Sequence, residues 1–406
     1  MNNQINSVYD AIVIGAGVIG ASLALSLAKR NGWTVALIEQ NEALKNAEFQ
    51  PVPNIRATAL GLSSKSLLTD LGVWHHLSEQ SVCPYENMFV WDENSDGELT
   101  FAASDYDVEA LGFIVDHFAL QEKLQDLIDE QQNIEPYYLS TIEGYEASDT
   151  LEAPTWVNVR MMHNDAGKTL KARWVFAADG VNSQVRRLAG ISTSEHDYQQ
   201  QGIVAKIRSQ HGHQNTAWQR FLSSGPIALL PLESGECSIV WSLPTNQAKA
   251  LYGLSEVDFS KRLTSALQAR LGEVELTSER HMFPLKSRRT DAYLKASVVL
   301  VGDAAHGIHP MAGQGANLGF DDIDCLLNAI EGMSADHPKL RRALRHYERQ
   351  QKLSNGKMDA FMTSLDSIFR TDNTILTSLR RIGLKAVNQH SLIKELLAQQ
   401  VLGKTS

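Results

Sequence analysis

Short apolar runs that end at glycine or an acidic residue recur along this chain and predict buried β-strands. The apolar run from Asp10 to Gly20 ends in closely spaced glycines and continues as the helix-like segment ASLALSLAKR. Further runs cover Thr34 to Ile38, Trp174 to Ala178 and Ser297 to Val301. Continuous apolar runs of this length are typical of buried parallel strands. The pattern therefore predicts an α/β fold with a Rossmann-like core assembled from separated parts of the chain.

The segments between these runs contain short β segments separated by turns. Residues 200–245 hold GIVAKIR, TAWQRFL, PIALLPLE and CSIVWSL, with a turn at Ser234-Gly235. Residues Cys83 to Phe101 read as a further hairpin with its turn at Asp96-Gly97. Such turns between short strands predict a second, mostly antiparallel sheet. Its apolar side chains either pack in its core or line a lipophilic pocket, and the candidates are Trp218, Phe221, Leu229 and Trp241.

The first glycine turn has a dinucleotide-binding pattern. Gly15, Gly17 and Gly20 let the backbone turn, approach a pyrophosphate and pack the helix on the strand. Free N–H groups at the helix N-terminus then face the anion. Glu39 follows the second strand, 19 residues after Gly20, and can accept hydrogen bonds from a ribose 2'-hydroxyl. Because an acid disfavours a 2'-phosphate there, the pattern predicts FAD or NAD, not NADP.

Two later strands also end at carboxylates. One stops at Asp179-Gly180 and the other at Gly302-Asp303. The carboxyl ends of parallel strands form the ligand-binding edge of doubly wound folds, so Asp303 can bind a ribityl hydroxyl. For either aspartate, a helix cap or turn residue is the alternative interpretation.

Another helix start follows the last of these strands. Gly313, Gly315 and Gly319 flank Asn317 ahead of a predicted helix from Phe320 to Ile330. Unblocked N–H groups at such a helix N-terminus stabilise negative charge, as on the edge of a reduced flavin.

The three segments at Gly15 to Gly20, Asp179-Gly180 and Gly302-Asp303 resemble, in this order, the FAD fingerprint, the DG motif and the GD motif of the single-component flavoprotein aromatic hydroxylases, the class of p-hydroxybenzoate hydroxylase. RATAL from Arg56, LGVW from Leu71 and GDAAHGIHPMAGQGANLG from Gly302 are more closely similar to the bacterial ubiquinone-biosynthesis hydroxylases, along nearly all 406 residues. The resemblance implies an FAD-dependent monooxygenase that uses O2, through a C4a-hydroperoxide of the flavin. Its expected substrate is a lipophilic polyprenyl phenol or benzoquinol, hydroxylated on its aromatic ring.

The resemblance also implies roles for individual residues. Arg56 would lie near the flavin and its ribityl chain, and His117 stands at the pyrophosphate position where the family often has Arg or Asn. Pro310 would place its carbonyl beside the substrate hydroxyl. The amides that would face the flavin pyrimidine belong to Gly315, Ala316 and Asn317.

Two histidines lie in the GD segment. His309, next to Pro310, can assist a phenol proton because its pKa lies near neutrality, and a structural histidine that bonds to the backbone is the alternative. His306 is predicted to be structural or to lie near FAD.

The three cofactor segments are far apart, so one domain must be built from several pieces. We expect an FAD-binding domain from residues 1–80, 112–190 and 284–330, a β-sheet substrate domain from 81–111 and 191–283, and a C-terminal helical region at 331–406. A chain of 406 residues suits two such interleaved domains.

Composition narrows the classes of partner. A net charge of -10 argues against nucleic acid, and 43% hydrophobic with 21% charged residues is typical of a globular protein. Three widely separated cysteines support neither a disulfide framework nor a metal site. No basic n-region precedes the first strand, so we expect no signal peptide and a cytoplasmic location.

The C-terminal segment differs in charge from the rest of the chain. Residues 375–406 contain five basic residues and one acidic residue, and Ile375, Leu376, Leu379 and Ile382 follow a helical spacing. Such a helix either packs on its own protein or lies on an anionic membrane surface. The polyprenyl substrate favours the second interpretation, with the protein peripheral on the cytoplasmic face of the inner membrane, alone or in a ubiquinone-biosynthesis complex.

Other functions of FAD proteins are left open. A flavin halogenase would need a WxWxIP segment, and VWSLP at Val240 to Pro244 lacks that pattern. A flavin dehydrogenase or prenyl reductase and a non-catalytic FAD-stabilised scaffold remain alternatives. Because no second GxGxxG is present, electrons can come from NAD(P)H or from a separate reductase.

Overall fold

The computed structural model describes residues 5–46, 55–93, 97–147, 157–164, 166–307 and 315–370. Within these ranges the chain forms three β-sheets with helices packed around them. The helices are α1 Val18–Asn31, α2 Leu62–Asp70, α3 His117–Glu130, α4 Gln184–Leu188, α5 Thr245–Tyr252, α6 Glu256–Ala266, α7 Gly315–Ala329 and α8 Leu340–Arg370.

The first sheet is the predicted Rossmann-like core. Its strands are β1 Ile5–Ile14, β2 Val35–Ile38, β8 Ile134–Tyr137, β9 Ser140–Ala147, β10 Val157–His163, β11 Ala166–Ala177, β18 Leu294–Lys295 and β19 Val298–Leu300. The strands β19, β11, β1, β2 and β8 are neighbours in that order and run parallel. Its central strands are buried on both faces, which explains their uninterrupted apolar sequences.

The register of this sheet decides where the site lies. Ile14 pairs with both Ile38 and Ala177, and Ala177 pairs with Leu300. The carboxyl ends of β1, β2, β11 and β19 therefore meet at one edge. All four motif-bearing turns start there.

The second sheet is mostly antiparallel, as predicted. Its strands are β5 Asn87–Asp92, β6 Glu98–Ala102, β12 Thr193–Ser209, β13 Thr216–Phe221, β14 Ile227–Pro231, β15 Cys237–Pro244, β16 Val274–Leu276, β17 His281–Thr290 and β20 His306–Gly307. The pair of β5 and β13 is parallel. β17 contains residue 284, where the third piece of the FAD-binding domain is predicted to start, and it pairs with β20. The second sheet therefore includes residues of the GD segment. The predicted domain limits stay a prediction.

The predicted hairpin from Cys83 to Phe101 is wrong in its first part, which belongs to a small third sheet. Its strands are β3 Ala57–Leu60, β4 Val82–Tyr85 and β7 Gly112–Asp116. Cys83 belongs to β4, which pairs with β7, while the hairpin itself consists of β5 and β6 only. Glu86, between β4 and β5, separates two strands that belong to different sheets.

Two further expectations are corrected or decided by packing. Helix α7 begins at Gly315, not at Phe320, so the predicted amides belong to its first turn.

Leu229 and Trp241 are 0% and 3% exposed in the apolar core that includes Phe259 of α6, so they pack and do not line a pocket. Trp218 packs against the same core, and Phe221 lies in a neighbouring one.

Candidate functional site

The first turn fits a dinucleotide because its three glycines face different surroundings. A β-carbon at Gly20 would lie 1.8 Å from the carbonyl oxygen of Gly15, and one at Gly15 would lie 2.5 Å from that of Ala178. Gly15 also has φ +99°, a conformation that favours glycine. A β-carbon at Gly17 would meet no atom within 4 Å. Gly15 and Gly20 therefore allow close packing, whereas Gly17 borders open space at the start of α1.

Glu39 lies beside this turn and is occupied by protein donors. The carboxylate is 9% exposed and accepts a hydrogen bond from the amide of Ala16 at 2.7 Å. Its other oxygen accepts two from Asn41, at 2.9 Å each. A carboxylate offers about four acceptor sites, so capacity for one more donor remains. Glu39 thus joins β2 to the glycine turn, which its predicted ribose contact did not require.

Asp179 caps a helix through one of its oxygens. Its Oδ2 accepts hydrogen bonds from the amides of Gln184 at 2.7 Å and Val185 at 3.1 Å. Its Oδ1 is buried without a hydrogen-bond partner. The neighbouring Gly180 has φ +74°, and a β-carbon there would meet nothing within 4 Å. The capping interpretation therefore holds for one oxygen, and the other is an orphaned acceptor at the sheet edge.

Arg186, in the helix that Asp179 caps, links the second segment to the third. Its guanidinium donates to the carbonyl oxygens of Ala304 at 2.8 Å and Val181 at 2.9 Å. The residue is 5% exposed, and this burial lowers the pKa of the guanidinium from its ordinary value. The DG and GD turns are therefore held against each other by a buried cation.

Asp303 stands at the carboxyl edge of the first sheet. Its side chain is exposed, yet the surrounding protein raises the pKa of its carboxyl above the ordinary value through partial desolvation. Within the described ranges, no donor makes a hydrogen bond to this carboxylate. Gly302, just before it, has φ +61°, and a β-carbon there would lie 3.3 Å from Ile19 of α1. Among the described residues, Asp303 is thus an acceptor without a hydrogen-bond partner.

Arg56 lies near both Asp303 and His117. The positive charge of Arg56 acts to lower the pKa of both Asp303 and His117, which places the guanidinium near each. Burial, with Arg56 second, lowers the pKa of His117 to about 4. The imidazole is therefore neutral at pH 7, and its Nδ1 lies 3.0 Å from the hydroxyl of Thr58. A neutral histidine can offer a hydrogen bond to a pyrophosphate but no charge, unlike the arginine common in the family.

Asn317 holds the N-terminus of α7 in place. Its side-chain oxygen accepts hydrogen bonds from the Gly61 amide at 2.9 Å and the Ser64 hydroxyl at 2.8 Å. Its side-chain nitrogen donates to the Ala59 carbonyl at 3.0 Å. The first amides of a helix have no partner within it, so those of Gly315, Ala316 and Asn317 begin a helix whose position is fixed. A β-carbon at Gly315 would meet nothing within 4 Å.

Three residues of the GD segment named from the sequence lie outside the described residues: His309, Pro310 and Gly313. His306 is described and is 4% exposed, in a buried pair with Asp322. Its imidazole is buried among protein groups, as the structural interpretation of this histidine predicts.

Sequence reasoning did not find several side chains that organise the site. Asp322, Asn41 and Thr58 position motif residues but belong to no glycine or aspartate motif. The acidic Asp322 within the apolar face of α7 is a signal that was available, because buried carboxylates in a helix need partners.

The described residues fit an extended dinucleotide. β-carbons at Gly17, Gly180 and Gly315 would all enter open space, and Asp179 and Asp303 both present unused acceptor oxygens near the sheet edge. The N-termini of α1 and α7 follow motif turns, and α3 begins at His117 directly after β7. Acceptors for hydroxyls and donors for an anion are the groups that FAD requires.

Comparison with known proteins gives one consistent result. The model of the FAD binding domain family matches residues 8–349. The mitochondrial ubiquinone biosynthesis monooxygenase COQ6 of Danio rerio is 31% identical, with 96% of this chain and 89% of the relative covered. The 3-demethoxyubiquinol 3-hydroxylase of Escherichia coli K12 is 29% identical, with 98% and 99% covered.

The solved structures agree in fold. The crystal structure of p-nitrophenol 4-monooxygenase PnpA from Pseudomonas putida DLL-E4 superimposes with a TM-score of 0.77 at 15% identity, covering 98% of this chain and 100% of that one. At that identity the likeness concerns the fold alone. With the family model matched over most of the chain and a relative 31% identical along nearly its whole length, the chain belongs to the FAD-binding family that includes the ubiquinone-biosynthesis monooxygenases.

Proposed function

We propose that this protein is an FAD-dependent monooxygenase that hydroxylates the aromatic ring of a polyprenyl phenol or benzoquinol in ubiquinone biosynthesis. The net reaction replaces a ring C–H by C–OH with one atom of O2, while the other atom leaves as water. Two electrons and two protons from a reductant complete the balance.

The observation that carries the proposal is the extent of the similarity. The relatives named for ubiquinone biosynthesis match at least 96% of the chain, so the likeness includes the second sheet as well as the nucleotide-binding core. In this fold the substrate is selected by parts outside the dinucleotide motifs, and fold alone would not indicate a substrate.

The residues at the motif turns and at the start of α3 have separate roles in holding the cofactor. Gly17 leaves room for the pyrophosphate at α1, with His117 at the start of α3 as a neutral donor. Asp303 accepts from ribityl hydroxyls, with Arg56 as its nearby cation, and Glu39 offers its remaining acceptor site to the adenosine ribose. Bound and reduced, FAD supplies the electrons and the activation of O2.

The first turn of α7 supplies the electrostatic part of the proposal. Its free amides and the positive end of the helix stabilise negative charge opposite them. Asn317 fixes this helix end to β3 and α2 through three hydrogen bonds, so little reorganisation is needed when charge develops. We assign Gly315 and Ala316 to that role.

The groups proposed to act on the substrate belong to the part of the GD segment that lies outside the described residues. The Pro310 carbonyl is assigned to the substrate hydroxyl, and His309 to the phenol proton. His306 is not assigned to that proton, because it is buried in its pair with Asp322.

The membrane contact of the protein is a separate part of the proposal. No described helix is long and apolar enough to cross a membrane. The basic segment 375–406, which lies outside the described residues, is proposed to hold the protein on the cytoplasmic face of the inner membrane. There it would meet the lipid-borne substrate, alone or within a biosynthetic complex.

Mass spectrometry of accumulated intermediates tests the proposed function. When the chain is removed from its host, a polyprenyl ring precursor that lacks one hydroxyl should accumulate and should disappear when the chain is restored. The position of the missing hydroxyl names the ring carbon. Normal ubiquinone would contradict the proposal, and an intermediate with unreduced prenyl double bonds would support the prenyl reductase. Substrate-dependent NAD(P)H or O2 consumption by the purified protein separates the hydroxylase from the scaffold.

A further inference from the structure

A buried ion pair holds the turn that carries Asp303. Asp322 of α7 is 0% exposed, and its Oδ2 accepts a hydrogen bond from the Gly302 amide at 2.7 Å. The same oxygen lies 2.8 Å from Nε2 of His306. A single carboxylate oxygen therefore holds the residues on both sides of the turn.

The surroundings of His306 favour its charged form. Burial is the largest single effect and acts to lower the pKa of the imidazole, but the carboxylates of Asp322, Asp303 and Asp321 together raise the pKa above the ordinary value. The titratable and charged groups around the ring belong to α7, to the turn itself, to β17, to the segment after it and to α8; they are Asp321, Asp322, Asp303, Arg289, Tyr293 and Asp359.

His306 and Asp322 have opposite effects on Asp303. The positive charge of His306 lowers the pKa of the Asp303 carboxyl, whereas the negative charge of Asp322 raises it. The positive charges of Arg56 and Arg288 act on the pKa of the Asp303 carboxyl in the same direction as His306.

We propose that Asp322 and His306 are a positioning pair for FAD: the Asp322 carboxylate fixes the Gly302 amide and is itself held by the His306 imidazolium, so that Asp303 between them is presented as a ribityl acceptor. This inference rests on FAD binding in the proposed function and adds two residues that do not touch the substrate. It concerns affinity for the cofactor, so it can fail while the hydroxylation proposal stands.

Two variants separate charge from geometry. In Asp322→Asn, the side-chain oxygen can occupy the place of Oδ2 and accept both donors, with the amide nitrogen at Oδ1, which has no hydrogen-bond partner. The variant keeps the hydrogen bonds and removes the counter-ion. His306→Gln keeps a donor without charge. Asp324→Asn, on the exposed side of the same helix, is the matched control.

The test measures FAD binding to the apoprotein by flavin fluorescence as pH rises from about 6 to about 9, the range in which histidines near carboxylates titrate. The wild type and Asp324→Asn should bind less tightly as pH rises through the pKa of His306. Asp322→Asn and His306→Gln should bind about tenfold less tightly at the low end and show a flat profile.

Folded variants with the affinity and pH profile of the wild type would overturn the proposal. A lower melting temperature with unchanged FAD affinity would show a purely structural pair and also overturn it. If Asp322→Asn does not fold, His306→Gln alone decides, because its flat or sloping profile reports on the charge.

Discussion

At the residue scale, the glycines of one motif have distinct roles that the motif itself does not reveal. Gly20 and Gly15 are needed for packing, since a β-carbon at either would overlap a carbonyl oxygen. Gly17 has φ -67°, which any residue adopts, and open space around its Cα. Of the three glycines, only Gly17 therefore leaves space that a ligand can enter.

This difference predicts opposite results for two alanine variants. Gly17→Ala should leave the melting temperature of the apoprotein unchanged and weaken FAD binding at least tenfold, because the methyl group enters the pyrophosphate space. Gly20→Ala should destabilise the apoprotein by about 1 to 3 kcal/mol through overpacking. Thermal unfolding and flavin fluorescence measure both. Equal effects of the two substitutions on apoprotein stability would contradict the assignment.

Asp303 gives a second prediction at this scale. Asp303→Ala should reduce FAD affinity by about one to two decades, since a hydrogen bond to a charged acceptor contributes about 1.5 to 3 kcal/mol. Apoprotein stability should not fall, because desolvation raises the pKa of this carboxyl and makes its ionised form unfavourable without a partner. Unchanged affinity in a titration with FAD would mean that Asp303 is only a turn residue.

At the element scale, strand ends and helix starts could be predicted from sequence because apolar runs and turn residues act locally. The runs before Gly15, Asp179 and Asp303 all became parallel strands whose ends meet. The start of α7 was placed too late because Gly315 and Gly319 are poor helix formers, and contacts of Asn317 and Ile19 override that preference. The division between β4 and the hairpin depends on distant pairing with β7, which no local pattern encodes.

Side-chain networks were beyond prediction for a similar reason. Asp322 and Gly302 are 20 positions apart, Arg186 and Ala304 are 118 apart, and Thr58 and His117 are 59 apart. Their meeting depends on the whole sheet order. The motif residues themselves could be named because each stands directly after a strand.

The first turn of α3 gives a prediction about pH. His117 has its pKa lowered to about 4 when folded, against an ordinary value of 6.5. The unfolded chain therefore binds more protons in this interval, so stability is complete above pH 6.5 and falls as pH drops towards 4. By pH 4 the loss should be about 3 kcal/mol, since one pKa unit corresponds to about 1.4 kcal/mol. Urea unfolding of the apoprotein at several pH values should show it, and His117→Asn should remove this part of the slope; an identical slope in that variant would contradict the neutral, buried histidine.

At the scale of the whole molecule, distant segments meet because the chain passes repeatedly between two sheets. β20 of the second sheet follows directly from the GD turn of the first, and α8 contacts both through Tyr347 on Leu300 and Asp359 on Arg289. The two sheets are therefore held together by α8 and by the segment that joins β19 to β20. We propose that the limits of the two domains follow the predicted division.

Membrane binding is the prediction that belongs to this scale. Deletion of residues 375–406 should lower co-sedimentation with anionic liposomes, since basic residues near the surface contribute about 1 kcal/mol each. Replacement of Arg380, Arg381, Lys385 and Lys394 by glutamine tests the charge alone, and salt should release the wild type. The deletion should also reduce turnover of a long-tailed substrate more than that of a short-tailed analogue. A folded deletion variant with undiminished lipid binding would place the contact elsewhere.

The central claim, that this protein inserts an oxygen atom from O2 into an aromatic ring, is tested most directly by isotope incorporation. The purified FAD-loaded protein is reduced chemically, which avoids the question of its natural electron donor, and then mixed with a short-tailed polyprenyl phenol under 18O2. Mass spectrometry should find one 18O atom in the ring hydroxyl of the product. A hydroxylated product without 18O, or a desaturated or reduced product formed while no oxygen enters the ring, would contradict the account.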